Sequence, residues 1–405
     1  MDEQTEYRLR RKALRLLLQG VKPSVVVSTV QRSRFWLAKW YRRFQDEGVR
    51  GLRSRSRRPR HTANKLNARI ARMIVQTRRR LVKQKVGLIG AATIQSELQK
   101  LHLGRALPSL STIKRVLLRQ SLVKHERETP SAYFPLPREV LQGSLHALDW
   151  TNRDLRGGVK VYAFHTLDLR TRVCAQTITR DKRSATAMAH LKNTWKTLGI
   201  PRFLQLDNDA AFCGGYKAPR VFGQFVRLCL YVGVELIFLP VAEPIRNGEV
   251  ERLNGLWSQA FWKRRRFRNF AHVQRASPDF VHWYKTEYVP PFLNGRTPAQ
   301  AQRAQLRHVL KSSLLAHAPD PLPITAGALH FIRCVDADGS ISVLNESWKV
   351  GRRWRHKYVW ATLTTHSRRL DIWSLRSVQH DWQLLKTFDY DIPGVIARRK
   401  PEFTR

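Results

Sequence analysis

The chain is short of acid and of cysteine. Against 74 Lys plus Arg it carries only 30 Asp plus Glu, a formal net charge of +44. So unbalanced a chain repels cationic surfaces and attracts polyanions, and nucleic acid is the expected partner. Four cysteines in 405 residues, Cys174, Cys213, Cys229 and Cys334, are too few and too scattered for a disulfide framework or a Cys-x-x-Cys zinc site. They read as buried, reduced thiols. No apolar run approaches 18 residues, and the opening Met1-Asp2-Glu3-Gln4 has none of the character of a signal peptide. The sequence therefore predicts no membrane partner and a cytoplasmic, nucleoid-associated protein. What is present, 42% hydrophobic residues over a length that suits two to four domains, is enough to fold.

Where acid is scarce, its placement is informative. Asp149 lies within Leu145-His146-Ala147-Leu148-Asp149-Trp150 and Asp207 within Leu204-Gln205-Leu206-Asp207-Asn208-Asp209, each at the end of a short apolar run that reads as a buried strand. Glu251 lies in Asn247-Gly248-Glu249-Val250-Glu251-Arg252-Leu253-Asn254, where Val250, Leu253, Trp257 and Phe261 form one apolar helical stripe with Glu251 and Asn254 beside it. Three carboxylates brought to one sheet edge repel one another unless a divalent cation neutralises them. Oxygen ligands with water positions to spare suit Mg²⁺ or Mn²⁺, the outline of a two-metal nuclease.

These three motifs resemble the DDE transposase and retroviral-integrase superfamily, in particular bacterial insertion-sequence transposases with an N-terminal helix-turn-helix and an integrase core. The resemblance implies a ribonuclease H-like fold, Mg²⁺-dependent DNA strand cleavage and transfer, and a homo-oligomer holding double-stranded DNA, both transposon ends and target. Asp149, Asp207 and Glu251 become its metal-binding catalytic residues. Retroviral spacing, about 35 residues from the second Asp to the Glu, lands instead on Glu243. Pro244 biases that residue away from helix, so the third ligand is assigned to Glu251 and the surplus to an insertion around Cys213-Gly214-Gly215-Tyr216-Lys217. Asp168 and Asp181 read as turn residues, and Arg296-Thr297-Pro298-Ala299-Gln300 as a structural element. From another class, a helix-turn-helix regulator with a catalytically inactive, domesticated core is the alternative; the three intact carboxylates argue against it. A tyrosine recombinase would need His272, Arg275 and Tyr284, whose nucleophile stands too close to the other two.

The expected organisation is multidomain: all-α helix-turn-helix modules, an α/β catalytic core and a small C-terminal β-barrel. Residues 1–50 predict three helices, with Ser33 capping the third and Arg32, Arg34, Lys39, Arg42 and Arg43 offered to DNA. Residues 51–63 form an unperiodic basic linker whose Arg53, Arg55, Arg57, Arg58 and Arg60 suit phosphates or a narrow minor groove. A second helical unit spans 64–127, its last helix capped by Ser109 or Ser111 and presenting Lys114, Arg115 and Arg119. The core is expected over 140–305. A barrel over 324–380, turning at Asp338-Gly339 and carrying a basic-aromatic edge at Arg352–Lys357, is followed by a basic tail over 381–405 with Arg398, Arg399 and Lys400.

Overall fold

The computed structural model describes residues 3–55, 66–84, 89–101, 107–123, 136–214, 219–240, 247–303, 307–375 and 382–397. It divides into two compact units, Met1–Asn67 and Ala68–Arg405.

The first unit is a three-helix domain: α1 (Glu3–Leu18), α2 (Pro23–Val30) and α3 (Arg34–Glu47). Pro23 suits the first turn of α2 because its missing N–H would have no partner there. Gln31, at φ 51°, ends that helix in the left-handed region. Ser33 then caps α3, its hydroxyl accepting from the Trp36 N–H at 3.2 Å, as its sequence position predicts. Ala13, Leu14, Val26, Val30, Leu37, Trp40 and Leu52 form the interior.

In the second unit, α4 (Ala68–Lys83), α5 (Ala91–Lys100) and α6 (Leu110–Arg119) pack around Ile74, Leu81, Ile94, Leu98 and Ile113. Ser109 is the cap of α6, accepting from Thr112 N–H. After α7 (Arg138–Gln142) come β1 (Leu145–Asp154), β2 (Lys160–Asp168), β3 (Cys174–Thr179), α8 (Ser184–Thr197), β4 (Phe203–Leu206), α9 (Ala210–Cys213), α10 (Gln224–Val232), β5 (Glu235–Phe238) and α11 (Gly248–Ala260). This is the predicted succession of three strands, helix, strand, helix, strand, helix, with only the single turn of α9 added. Helices α12 (Phe270–Thr286), α13 (Pro298–Gln302) and α14 (Ser312–Ala316) follow. Thr297 and Gln300 close a capping box on α13, which accounts for the Arg296–Gln300 element as structural.

Strands β3, β2, β1, β4 and β5 lie in that order, the first three antiparallel and β1, β4 and β5 parallel. That mixed sheet is an integrase-like core with the strand order of a ribonuclease H-like fold. Helices cover both faces. Trp195, Phe225 and Leu228 bury one side, and Val250, Leu253, Trp257 and Phe280 the other. The expected stripe of α11 is fully used, with Val250, Leu253, Trp257 and Phe261 each at most 2% exposed.

The C-terminal region departs from expectation. Among the described residues there is no closed barrel: β6 (Ala328–Cys334), β9 (Tyr358–Thr364), β10 (Arg369–Leu375) and β11 (Trp382–Asp389) extend the core sheet to nine strands. The junction is the parallel pairing of β5 with β6, Leu236 opposite Leu329 and Phe238 opposite Phe331, whose rings stack at 5.0 Å. The physical reason is the open side of β5, whose unpaired backbone groups and apolar side chains β6 covers. A separate hairpin joins β7 (Ser340–Val343) to β8 (Glu346–Lys349) through Leu344 and Asn345, both at positive φ. Asp338-Gly339 turns the chain from β6 into β7, at the place expected from the sequence. Residues 382–389, assigned above to a tail, are the edge strand β11; Arg398, Arg399 and Lys400 lie outside the described residues.

Candidate functional site

Strand register sets two of the three acids side by side. Ala147 of β1 pairs with Gln205 of the parallel β4; Asp149 lies two residues further along β1, and Asp207 two residues past Gln205, just beyond the end of β4. Asn247 fastens the start of α11 to both: its Oδ1 accepts from Gln205 Nε2 at 3.2 Å and its Nδ2 reaches Leu148 O at 3.5 Å. One turn into that helix is Glu251.

The electrostatics are those of crowded acids. Asp149 is pushed up to about 7, first by burial and then by the charges of Asp207 and Glu251, against the opposing hydrogen bond from its neighbour Trp150 N–H at 2.7 Å. Burial raises Asp207 as well, opposed by the Asp209 N–H and by Lys182. Glu251 is raised by burial and then by Asp207. Asp209 caps α9 through Ala211 N–H and pairs with Lys182 at 2.8 Å, while Lys182 also lies 4.1 Å over the Trp150 ring.

Among the described residues, no group of three or more His, Cys, Asp or Glu side chains lies close enough together to hold a metal ion. The donors nevertheless fit a hard divalent cation: all are carboxylate oxygens, and the charge repulsion at Asp149 is what such a cation would relieve. Other acids have structural employment. Glu249 turns away to Arg172 at 2.8 Å and Arg252 at 3.0 Å. Asp168 accepts from Arg170 N–H and Thr171 in the β2–β3 turn, and Asp181 accepts from Arg183 N–H and Thr186 before α8. Tyr284, 4% exposed, is packed in the core. Glu243 lies outside the described residues, as do positions 215–217 of the expected insertion.

The basic residues divide into two kinds. On α3, Arg34, Lys39 and Arg42 are exposed, as are Lys114, Arg115 and Arg119 on α6. Arg32 is engaged with Glu6 at 2.6 Å. Arg43 lies 4.6 Å over the Trp40 ring and donates to Arg53 O at 3.0 Å, which uses it to hold the chain leaving α3. Arg53 is exposed and Arg55 pairs with Glu47. Arg57, Arg58 and Arg60 lie outside the described residues. Phe35, 88% exposed between Arg34 and Lys39, is a surface feature that the apolar pattern did not single out.

A family model described as a homeodomain-like domain matches residues 36–117. Solved structures to which the chain is similar include the HTLV-2 integrase catalytic core domain in complex with magnesium, at 15% identity and a TM-score of 0.31 over 39% of this chain and 95% of that one. The catalytic core domain of BIV integrase gives 14% and 0.30 over 40% and 93%. A simian T-cell lymphotropic virus intasome in complex with a PP2A regulatory subunit gives 14% and 0.36 over 75% and 100%. The family model speaks for residues 36–117 alone. At such scores the fold assignment rests on the strand order itself.

Two contributors to the site were missed in the sequence. Arg333 of β6 is 8% exposed and directs its guanidinium to Ser342 O, Leu239 O and, at 2.8 Å, Asn208 Oδ1, next to Asp207. Burial lowers its proton affinity to about 10, where it stays charged at neutral pH. An isolated Arg in a strand gives no signal of this. The second contributor is His165. It faces Asp149 directly across the β1–β2 ladder, a pairing that only the register reveals.

Proposed function

We propose that the protein is a DNA transposase that binds the terminal inverted repeats of its own element and catalyses 3′-end cleavage and strand transfer. What supports this reading is Asp149 beside Asp207 on the core sheet, its carboxyl raised by burial and by the charges of Asp207 and Glu251. Asp149, Asp207 and Glu251 would together hold the divalent cations that this reaction uses. Bound Mg²⁺, with Mn²⁺ as substitute, would activate the attacking water or 3′-hydroxyl and stabilise the departing 3′-oxygen. A new P–O bond forms as the old P–O3′ bond breaks, with no covalent enzyme intermediate.

The exposed basic faces of α3 and α6 would each enter a groove, so two modules read a longer site than one. The +44 charge gives sequence-independent attraction, strongly weakened by salt. Two DNA ends must be held together for coupled transfer, which calls for a homo-oligomer on DNA, acting at the nucleoid. No helix among the described residues is long and apolar enough to cross a membrane. The test is joining of a labelled element end to plasmid DNA: Mg²⁺-dependent products are expected from the full chain and none from Asp149→Asn. Wild-type protein that binds ends yet never joins them would support the inactive regulator instead.

A further inference from the structure

Three adjacent strands place polar residues in one row: Asp149 on β1 pairs with His165 on β2, and His165 with Gln176 on β3. This row lies under α11 and α12 on an otherwise apolar face, and His165 is fully buried. Asn254, one turn after Glu251, donates from Nδ2 to Asp149 Oδ2 at 2.7 Å. Its Oδ1 meets His165 Nδ1 at 2.6 Å, His165 Nε2 meets Gln176 Nε2 at 2.7 Å, and Ser277 of α12 donates to Gln176 Oε1 at 2.5 Å. The edge of the Trp257 indole packs on the imidazole, ring centres 5.7 Å apart.

The directions of these bonds follow from one another. Asn254 donates its NH₂ to Asp149 Oδ2, which leaves its carbonyl oxygen for His165. His165 must then carry its proton on Nδ1, and its Nε2 lone pair accepts from the Gln176 amide, whose oxygen is left for the Ser277 hydroxyl. Every member is satisfied in one orientation only, and reversing any one leaves two like groups in contact. We propose that His165 and Gln176 are positioning residues: together with Ser277 they lock the Asn254 carboxamide, and Asn254 holds the Asp149 carboxylate in a single orientation toward the site. The inference rests on the reading of Asp149 as a metal ligand, and extends it across the sheet. Groups that orient a metal ligand are commonly worth about 10–100-fold in affinity or activity.

The tautomer is measurable without metal or DNA. Ring ¹⁵N–¹H correlations of the full chain at pH 8, with His165 assigned by His165→Gln, should show a neutral imidazole protonated at Nδ1; a proton on Nε2 overturns the proposal whatever the variants do. His165→Phe preserves bulk and removes both hydrogen bonds. It should weaken Mn²⁺ binding, read by calorimetry, and strand-transfer turnover by about 10–100-fold with end binding unchanged. His165→Gln, which can donate and accept in the same sense, should recover both to within about 3-fold. Undiminished Mn²⁺ affinity in a folded His165→Phe, or a His165→Gln as impaired as it, rejects the positioning role. If His165→Phe does not fold, the tautomer decides. Failure of the transposase reading looks different: wild-type protein with the Nδ1 proton in place but no Mn²⁺ binding or joining.

Discussion

Replacing Asp149 by Asn should stabilise the metal-free protein while destroying its activity. In the fold this carboxyl is raised from 3.8 to about 7, a shift of about 3 units at about 1.4 kcal/mol each, so keeping it ionised costs at most about 4 kcal/mol. Asparagine removes the charge but cannot accept from both Trp150 N–H and Asn254 Nδ2 as the carboxylate does, and one lost hydrogen bond costs about 1 kcal/mol. Allowing for relaxation around the site, the net gain at pH 8 is about 2 kcal/mol, or about 4 °C in Tm. The pH dependence has a definite sign. A raised acid contributes stability that is present below its unfolded value and lost as pH climbs through the folded one. The advantage of Asp149→Asn should therefore be near zero at pH 5, grow as pH rises and level off above about pH 7, measured by thermal unfolding in EDTA. Adding Mg²⁺ should stabilise wild type and leave the variant unmoved. A variant no more stable than wild type at pH 8, or equally favoured at pH 5, would refute the burial and charge repulsion that raise Asp149.

Truncation after residue 323 should make the catalytic core insoluble or protease-sensitive, because β6 covers the edge of β5; a soluble, folded core would show that the C-terminal strands are an independent domain. Arg333→Met should destabilise by about 3 kcal/mol, since several carbonyls and Asn208 lose their donor; chemical denaturation reads it. Phe35→Ala and Arg42→Ala should each weaken specific end binding by about 5–100-fold in mobility shifts without changing the unfolding temperature. Arg43→Ala should chiefly lower Tm, because that side chain packs on Trp40.

The core sheet and α11 were legible because their signals are local. The apolar run before Asp207 marks the end of β4, the run before Asp149 marks the buried first half of β1, which continues to Asp154, and the stripe through Val250, Leu253, Trp257 and Phe261 marks the helix that carries Glu251. Ser33 and Ser109 announce their helices by capping chemistry. The parts that stayed hidden depend on register or on distant partners. His165 is an ordinary strand residue until β2 lies opposite β1, and Arg333 has no meaning before β6 meets β5. Strands at 328–334 and 358–364 were foreseeable, but whether they close on themselves or join another sheet is a choice among edges that sequence alternation does not encode. Arg43 looked available for DNA because helical spacing places it on a face without saying that Trp40 and Arg53 occupy it.

Identity of the third carboxylate is the point on which the account turns. Glu251→Gln, Glu243→Gln and Glu249→Gln should be compared side by side in Mg²⁺-dependent joining of a labelled end to plasmid DNA, with end binding checked in each. The account requires Glu251→Gln to lose joining by several orders of magnitude, as expected when ligands act as a unit, and the other two to retain it. An active Glu251→Gln beside an inactive Glu243→Gln would contradict it and move the third ligand to the loop.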